Sequence, residues 1–477
     1  MVKIICGSTE FNNKKYKFDF RDNILVLIPD ELEDYSKWFF EHVNSIESNE
    51  KTNIKGITNN GKIIYFLSIK LIELGGGALQ AFVPGFAICN VNTISPLPEC
   101  NDIDKITFFG ECIDRFYPPK QIINYPSFSE DEYKYEIDKD RNKLKKFKIN
   151  KDEYSFGVRW ESPISSDINV VLNVKSYLTI VFSKTINIEE IIDYYLKTKR
   201  FFSFLNNRKY IKFEKIIASK NIKINNDPLN PDSFENQDIN FEIHIVDPDE
   251  IYDLNKNNYI ILNDIKDKIE KLYSEVSDEK FLVDYYPLST IDNSYIDNDK
   301  YVRVASAFES EMDKFMPNYK SESKKEYKYV KKSILNTIHI KRKFSNIKLK
   351  LITNNIKQKK YKNIIKECNF FSKKIGNMEG TLEEKILFIF NKYNDILEPF
   401  KNKLLQSYYI DNIKNGILAN KFASRRNSVA HGYSFNSFEP LEIISYELLK
   451  IGIYCITFDR CGFKEEKIKE LINKIFK

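Results

Sequence analysis

The chain has 477 residues, of which 42% are apolar and 30% charged, with 29 Tyr, 36 Phe and a formal net charge of +6. That length exceeds what one hydrophobic core serves, and the aromatic content supplies ample core material, so two or three ordered domains are expected and a long disordered chain is excluded. No segment offers the ~18 uninterrupted apolar residues of a membrane span, nothing near Met1 reads as a cleavable leader, and seven cysteines without a CxxC pair argue against a disulfide framework or a zinc ribbon. The expectation is a cytoplasmic protein with reduced, buried thiols and no membrane partner.

Residues 3–183 show short β-branched and aromatic runs broken by turn residues, among them 23–29, 62–71, 106–116 and 168–182, which is the pattern of strands. Asn60 and Gly61, between the runs 54–58 and 62–69, suit a tight hairpin because both tolerate positive φ. Strands that follow one another without helices favour an antiparallel, sandwich-like arrangement over a parallel sheet. A helix is predicted over 188–205, with Glu189 and Glu190 in its first turn, followed by strands at 210–218 and 240–246. Gly75, Gly76 and Gly77 lack the Lys-Ser/Thr of a nucleotide-binding loop and read as a turn or bulge. Asp, Asn and Ser dominate 287–300, which marks a boundary between a β-rich domain over 1–299 and a second domain over 300–477.

After the boundary the period changes. Ala305, Phe308, Met312 and Phe315 share one face of a helix that Pro317 would end. Further helices are predicted over 327–340, 347–371, 382–397, 410–430, 441–458 with Pro440 at its start, and 465–476. The fold class is therefore α+β and multidomain, a β-rich front followed by a helical bundle.

Charge is concentrated in this second part. Residues 320–374 hold 18 Lys or Arg against Glu322, Glu326 and Glu367, a segment net of +15 that leaves −9 for the remainder. Such a cluster suits a phosphate backbone, with Lys341, Arg342, Lys343, Lys359 and Lys360 as candidate contacts. The plainer reading is the solvated face of a Lys-rich helix.

Four histidines are present. His42, His244 and His339 stand apart from any set of Cys, His or carboxylates at metal-ligand spacing, so no metal and no cofactor are expected. His431 is different: it lies in Ser424-Arg425-Arg426-Asn427-Ser428-Val429-Ala430-His431-Gly432, near a helix end that Gly432 is suited to make. Asn427 and His431, four residues apart, share a helix face, and the long side chain of Arg426 can reach round to it. RNA cleavage without metal needs a base for the ribose 2′-hydroxyl, an acid for the leaving 5′-oxygen and a cation for the phosphoryl charge. Histidine serves either proton role near neutral pH, arginine supplies a permanent planar cation, and asparagine can orient either. One histidine does not readily perform both proton transfers, so a site shared across a two-fold axis by two chains is the matching hypothesis.

Arg426-Asn427-Ser428-Val429-Ala430-His431-Gly432 resembles the signature of the HEPN ribonuclease superfamily, in which an arginine, a polar residue directly after it and a histidine separated from the arginine by four to six residues mark the site. A β-rich front half before such a bundle, with the stretch Gly56-Ile57-Thr58-Asn59-Asn60-Gly61-Lys62, is similar to the ApeA-like abortive-infection proteins of bacteria. The resemblance implies an antiviral RNase, held inactive until its N-terminal domain senses a phage-derived trigger. It implies Arg426, Asn427 and His431 as catalytic residues, with Arg425 and an acidic residue on the first bundle helix, here Glu309, as supporting ones. The substrate expected is single-stranded or looped RNA, tRNA among the candidates, because in-line attack needs a ribose and phosphate free of A-form geometry. The competing readings are ordinary ones: His431 as a buried or capping histidine, Arg425 as a charge at a helix C-terminus, and Glu309 as an exposed carboxylate. At the level of the whole bundle the alternative is a non-catalytic RNA-binding or dimerisation module.

Overall fold

The protein is described here from a computed structural model, which covers residues 4–31, 52–75, 78–92, 102–119, 123–124, 136–137, 145–161, 173–225, 234–246, 254, 259–278, 284–293, 295–317, 325–351, 355–376, 381–431 and 437–476. The chain divides into two compact units, Met1–Asp292 and Asn293–Lys477.

The first unit is antiparallel throughout its described pairings. Its strands are β1 (Ile5–Phe11), β2 (Lys14–Arg21), β3 (Ile24–Pro29), β4 (Thr52–Thr58), β5 (Lys62–Gly75), β6 (Ala78–Phe82), β7 (Gly85–Asn92) and β8 (Asp102–Phe109). After them come the two-residue strands β9 (Ile123–Asn124) and β10 (Glu136–Ile137), then β11 (Lys145–Ile149), β12 (Asp152–Glu161), β13 (Asn173–Asn187), β14 (Lys215–Asn225) and β15 (Phe234–Ile245). Thirteen of them form one sheet in the order β11-β12-β13-β8-β14-β15-β7-β5-β4-β1-β2-β3-β6, and β6 pairs again with β5. The sandwich expected from the sequence is thus replaced by closure: β5, β4, β1, β2, β3 and β6 make a barrel, and the sheet runs on from β5 through β7.

The closure has a local cause in β5. Ser68 takes a left-handed conformation, φ 50°, and its N–H is held by Asn53 Oδ1 at 2.6 Å, beside the register shift between Thr52 and Ile54 on β4. Below this bulge β5 pairs with β7 at Lys62–Leu67, and beyond it with β6 at Lys70–Gly75. Tight turns are made by short polar pairs that tolerate positive φ: Asn12-Asn13 between β1 and β2, Asp22-Asn23 between β2 and β3, and Asn150-Lys151 between β11 and β12. The hairpin expected at Asn60-Gly61 joins β4 to β5, with Gly61 at φ 77°. Of the triple glycine, Gly75 ends β5 opposite Ala78, and the other two lie outside the described residues. Alternation along the barrel strands buries Tyr16, Phe18, Phe20, Leu25, Leu27 and Phe66 among others. Gly7 and Gly56 leave room for the Phe18 ring; a Cβ on Gly7 would meet Ile57 O at 2.1 Å and the ring at 2.6 Å.

Two sequence expectations change in this unit. The run 106–116 is half strand, half helix: β8 ends at Phe109, and α1 (Glu111–Phe116) follows Gly110, whose backbone lies so close to Lys212 that a Cβ would stand 3.0 Å from its carbonyl oxygen. The strand expected at 210–218 begins only at Lys215. The predicted helix appears as a 3-10 turn, Ile188–Glu190, continuing into α2 (Ile191–Asn206), with Asn187 and Glu190 forming a capping box. Together with α3 (Ile269–Ser277), α2 sets Phe201 and Phe202 against Phe116 and Tyr273. Single-turn helices lie at Leu262–Ile265 and Thr290–Asn293.

The second unit is helical: α4 (Asn298–Phe315), α5 (Lys325–Leu351), α6 (Asn355–Gly376), α7 (Leu382–Lys392), α8 (Asn394–Ser407), α9 (Asn415–Ala430), α10 (Pro440–Arg460) and α11 (Glu465–Phe476). Helix α10 is buried along most of its length, and α4, α7, α8, α9 and α11 pack against it. Ala305, Phe308 and Met312 face this core, with Phe315 half-buried at the end of the stripe. Buried Glu311 ties α4 to α10 through Arg460 at 2.6 Å and Thr457 at 3.1 Å. Three boundaries move. Helix α5 continues through 341–346, where Lys and Arg are good helix formers, and ends at Leu351 rather than starting anew at 347. The predicted helix 382–397 breaks at Tyr393, so that Pro399 falls in the second turn of α8 instead of deep inside a longer helix. The helix expected from 410 begins at Asn415.

No described helix is long and apolar enough to cross a membrane. Of the cysteines, Cys89, Cys112, Cys368, Cys455 and Cys461 are buried and unbridged, whereas Cys6 is half-buried, against the expectation that all are buried; Cys100 lies outside the described residues. Burial pushes the thiols of Cys112 and Cys455 well above the usual range. Because the space of Gly7 is already filled by backbone, Gly7→Val should destabilise the barrel by at least about 2 kcal/mol in urea unfolding, far more than the same change at solvent-open Gly416.

Candidate active site

The Arg426 motif lies in the last turn of α9. Below it is an aromatic stack: Tyr301 of α4, fully buried, lies face to face with Phe422 of α9 at 4.4 Å, with Phe438 at 5.4 Å and with Tyr446 of α10 at 5.5 Å. This stack fixes α4 against α9. One further turn along α9, and two along α4, the same pair of helices brings Arg426 Nη2 to Glu309 Oε2 at 3.1 Å. The pair is about one-third exposed on each side, 30% for Arg426 and 36% for Glu309. Arg426 Nη1 also donates to Asn427 Oδ1 at 3.3 Å.

His431 is the C-cap of α9, with φ −92°, and its N–H donates to the carbonyls of Asn427 at 3.1 Å and Ser428 at 3.2 Å. Its side chain and that of Asn427 are exposed, and its imidazole hydrogen-bonds to no described residue. The reading of His431 as a buried histidine is therefore set aside, while its backbone does close the helix. Gly432, expected to end α9, lies outside the described residues.

Arg425 is turned inwards, away from this cluster. A step of about 100° along a helix turns it away from its neighbour's surface position, and here it is buried. Its Nη2 donates to Ser437 O at 3.0 Å, its guanidinium covers the Phe438 ring at 4.2 Å, and Nη1 stands 3.8 Å from Glu442 Oε2. Arg425 thus pins the start of α10 to α9. Glu309, by contrast, meets Arg426 directly.

The Lys-rich segment is not brought into this cluster. Helices α5 and α6 pack on each other, with no extensive contact to another described element. Lys341, Lys343, Lys359 and Lys360 are exposed, but Arg342 is a clasp within the hairpin: Nη1 donates to Asn369 Oδ1 and Nη2 to His339 Nδ1, each at 3.1 Å. The opposite side of α5 leaves Ile340, Phe344, Ile347 and Leu351 exposed, so the segment is amphipathic rather than a plain cationic surface.

His244 stacks on Phe86 in the sheet of the first unit, and His42 lies outside the described residues. Among the described residues no group of three or more His, Cys, Asp or Glu side chains is placed to hold a metal ion. What the motif can do chemically is present a fixed cation, an amide and an accessible imidazole at one helix end. Comparison with protein-family models, with curated proteins and with solved structures returned no match for this chain.

The two adjacent arginines should separate cleanly in chemical denaturation. Arg425→Ala leaves Glu442 buried without its cation and should cost about 3 kcal/mol or more. Arg426→Ala breaks a half-exposed pair and should cost under about 1 kcal/mol.

Proposed function

We propose that the C-terminal unit is a metal-independent endoribonuclease of HEPN type that cuts unpaired RNA and leaves a 2′,3′-cyclic phosphate and a 5′-hydroxyl. The observation that carries this reading is the surface cluster of Arg426, steered by Glu309, beside exposed Asn427 and His431. In the reaction the 2′-oxygen attacks the adjacent phosphorus while the bond to the 5′-oxygen breaks. His431 takes the 2′-hydroxyl proton or delivers one to the 5′-oxygen, and Arg426 stabilises charge on the non-bridging oxygens. Glu309 holds the guanidinium while leaving part of it open to solvent, so a phosphate can approach without the arginine being first recruited.

The second proton transfer is assigned to His431 of another copy of the chain, which makes a homodimer part of the proposal. Following the resemblance of the sequence, the β-rich unit is the sensor, and phage infection the condition that releases cleavage; tRNA is among the candidate substrates.

The test is cleavage of total cellular RNA by the purified protein in EDTA, with a lysate of phage-infected cells added to supply the trigger. Wild type should cut, and His431→Ala and Arg426→Ala should each lose at least about 100-fold in rate, with RNA affinity in His431→Ala changed only a few-fold. Absence of cleavage by wild type even with the phage lysate present, together with unchanged affinity, would favour a binding or dimerisation module instead. Glu309→Ala should lower kcat about tenfold through a less well positioned cation, with a smaller change in KM.

A further inference from the structure

The other end of α9 also has chemistry that points to a ligand. Two adjoining shallow clefts, of about 480 and 430 Å3, share Asn412. The first is lined by Asn391, Lys401, Lys414 and Asn415. In it the Lys401 ammonium, on a residue only 7% exposed, has the neutral Asn415 Oδ1 at 3.3 Å as its partner, and no described carboxylate pairs with it. Asn415 is itself used up as a donor, its Nδ2 facing Phe390 O, Asn391 Oδ1 and Asn394 Oδ1 at 3.1–3.3 Å. An ammonium on a largely buried side chain, with no counter-charge among the described residues, at a cleft that also holds Lys414 and the first N–H groups of α9, is set up for an anion.

The second cleft has Asn402, Gln406, Asp411 and Tyr409. Tyr409 is 98% exposed and left-handed, φ 56°. It follows α8 in the position where a helix ordinarily ends on glycine, with Tyr409 N donating to Gln406 O and Ile410 N to Leu405 O. An aromatic ring is thus held in solvent at a site where the backbone disfavours any side chain. The amides of Asn402, Gln406 and Asn412 are exposed around it and engage no described residue.

The first cleft includes Asn415 and Gly416 at the start of α9, and an exposed face of that helix leads from its next residue to the motif. Ile417, Asn420, Ser424, Asn427 and His431 follow one another at spacings of three and four, and all are exposed. The 16-residue α9 spans about 24 Å, contains no carboxylate and carries Lys421 and Arg426 towards solvent; among the described residues Glu383 accepts from Asn420, Glu439 pairs with Lys421 and Glu309 with Arg426.

We propose that an unpaired stretch of RNA docks in these clefts and runs along α9 to His431. One base stacks on Tyr409, the amides and Asp411 bond to base edges, and Lys401, Lys414 and the helix N-terminus take a phosphate. A duplex does not fit this arrangement, because its bases are not free to leave the stack. The proposal rests on the RNA reading of the Arg426 site, but its test does not depend on cleavage.

The experiment is fluorescence anisotropy with the full chain carrying His431→Ala, so that the RNA survives, and a labelled mixed-sequence single-stranded RNA in EDTA. Adding Tyr409→Gly should weaken binding at least tenfold while raising the melting temperature, since glycine relieves the left-handed backbone; Tyr409→Phe should retain affinity, and Lys414→Ala should weaken it and reduce its salt dependence. A duplex RNA of equal length should compete poorly. Unchanged affinity in Tyr409→Gly, equal competition by duplex, or no binding of single strands at all would overturn the proposal. Binding that follows this pattern in a protein whose wild type never cleaves would uphold the docking site and defeat the nuclease reading.

Discussion

The second unit is organised by the burial of α10. Fifteen of its 21 residues are buried, including Glu442, Lys450 and Thr457, and a helix apolar on nearly every side is stable only inside a bundle. Each buried polar group on it has been given a partner: Glu442 accepts from Glu439 N at 2.9 Å, Lys450 binds Glu447 and Asn293 at 3.0 Å, and Thr457 donates to Glu311. Because α4 and α9 both lie against α10, their mutual approach is set by the same core. The ion pair of Glu309 and Arg426 is a surface consequence of that packing and contributes little to it.

Two arginines in succession show how a helix divides labour without any difference in residue type. Arg425 faces the core and spends its guanidinium on a carbonyl, a ring and a carboxylate, whereas Arg426 faces outwards and keeps part of its surface wet. The chemistry of both is the same, and only the 100° between them decides which can meet a ligand. A charge cluster in a sequence therefore says less about binding than the angular position of each member. Arg342, turned back onto α6, makes the same point within the Lys-rich segment.

The antiparallel character of the front, the helical character of the rest and the face made by Ala305, Phe308 and Met312 were legible in the sequence, because alternation and helical spacing are local properties. The turn at Asn60-Gly61 was equally legible, from the tolerance of these residues for positive φ. Barrel closure was not, since it depends on β6 returning to β5 across a bend at Ser68, which has no signature in a Leu67-Ser68-Ile69 run. In the candidate site, Arg426, Asn427 and His431 were visible as a motif, and Glu309 only through a family resemblance. The inward role of Arg425 depends on Ser437 and Phe438, whose approach no spacing rule gives. Tyr409 carried no motif at all; the signal, a bulky residue where a helix stop would favour glycine, emerges only once the end of α8 is known.

Barrel closure also bears on how copies of this chain can meet. With β6 bonded on both sides, the large sheet has one open end among the described strands, at β11. That strand is five residues long, presents exposed Lys146 and Lys148, and has the Lys148 N–H occupied by Glu270 Oε1 of α3 at 3.3 Å. A neighbouring copy would find like charge and a partly filled ladder where it would need free backbone groups. Edge-to-edge growth into filaments is thereby discouraged at high local concentration, and self-association is left to surfaces that can close on themselves.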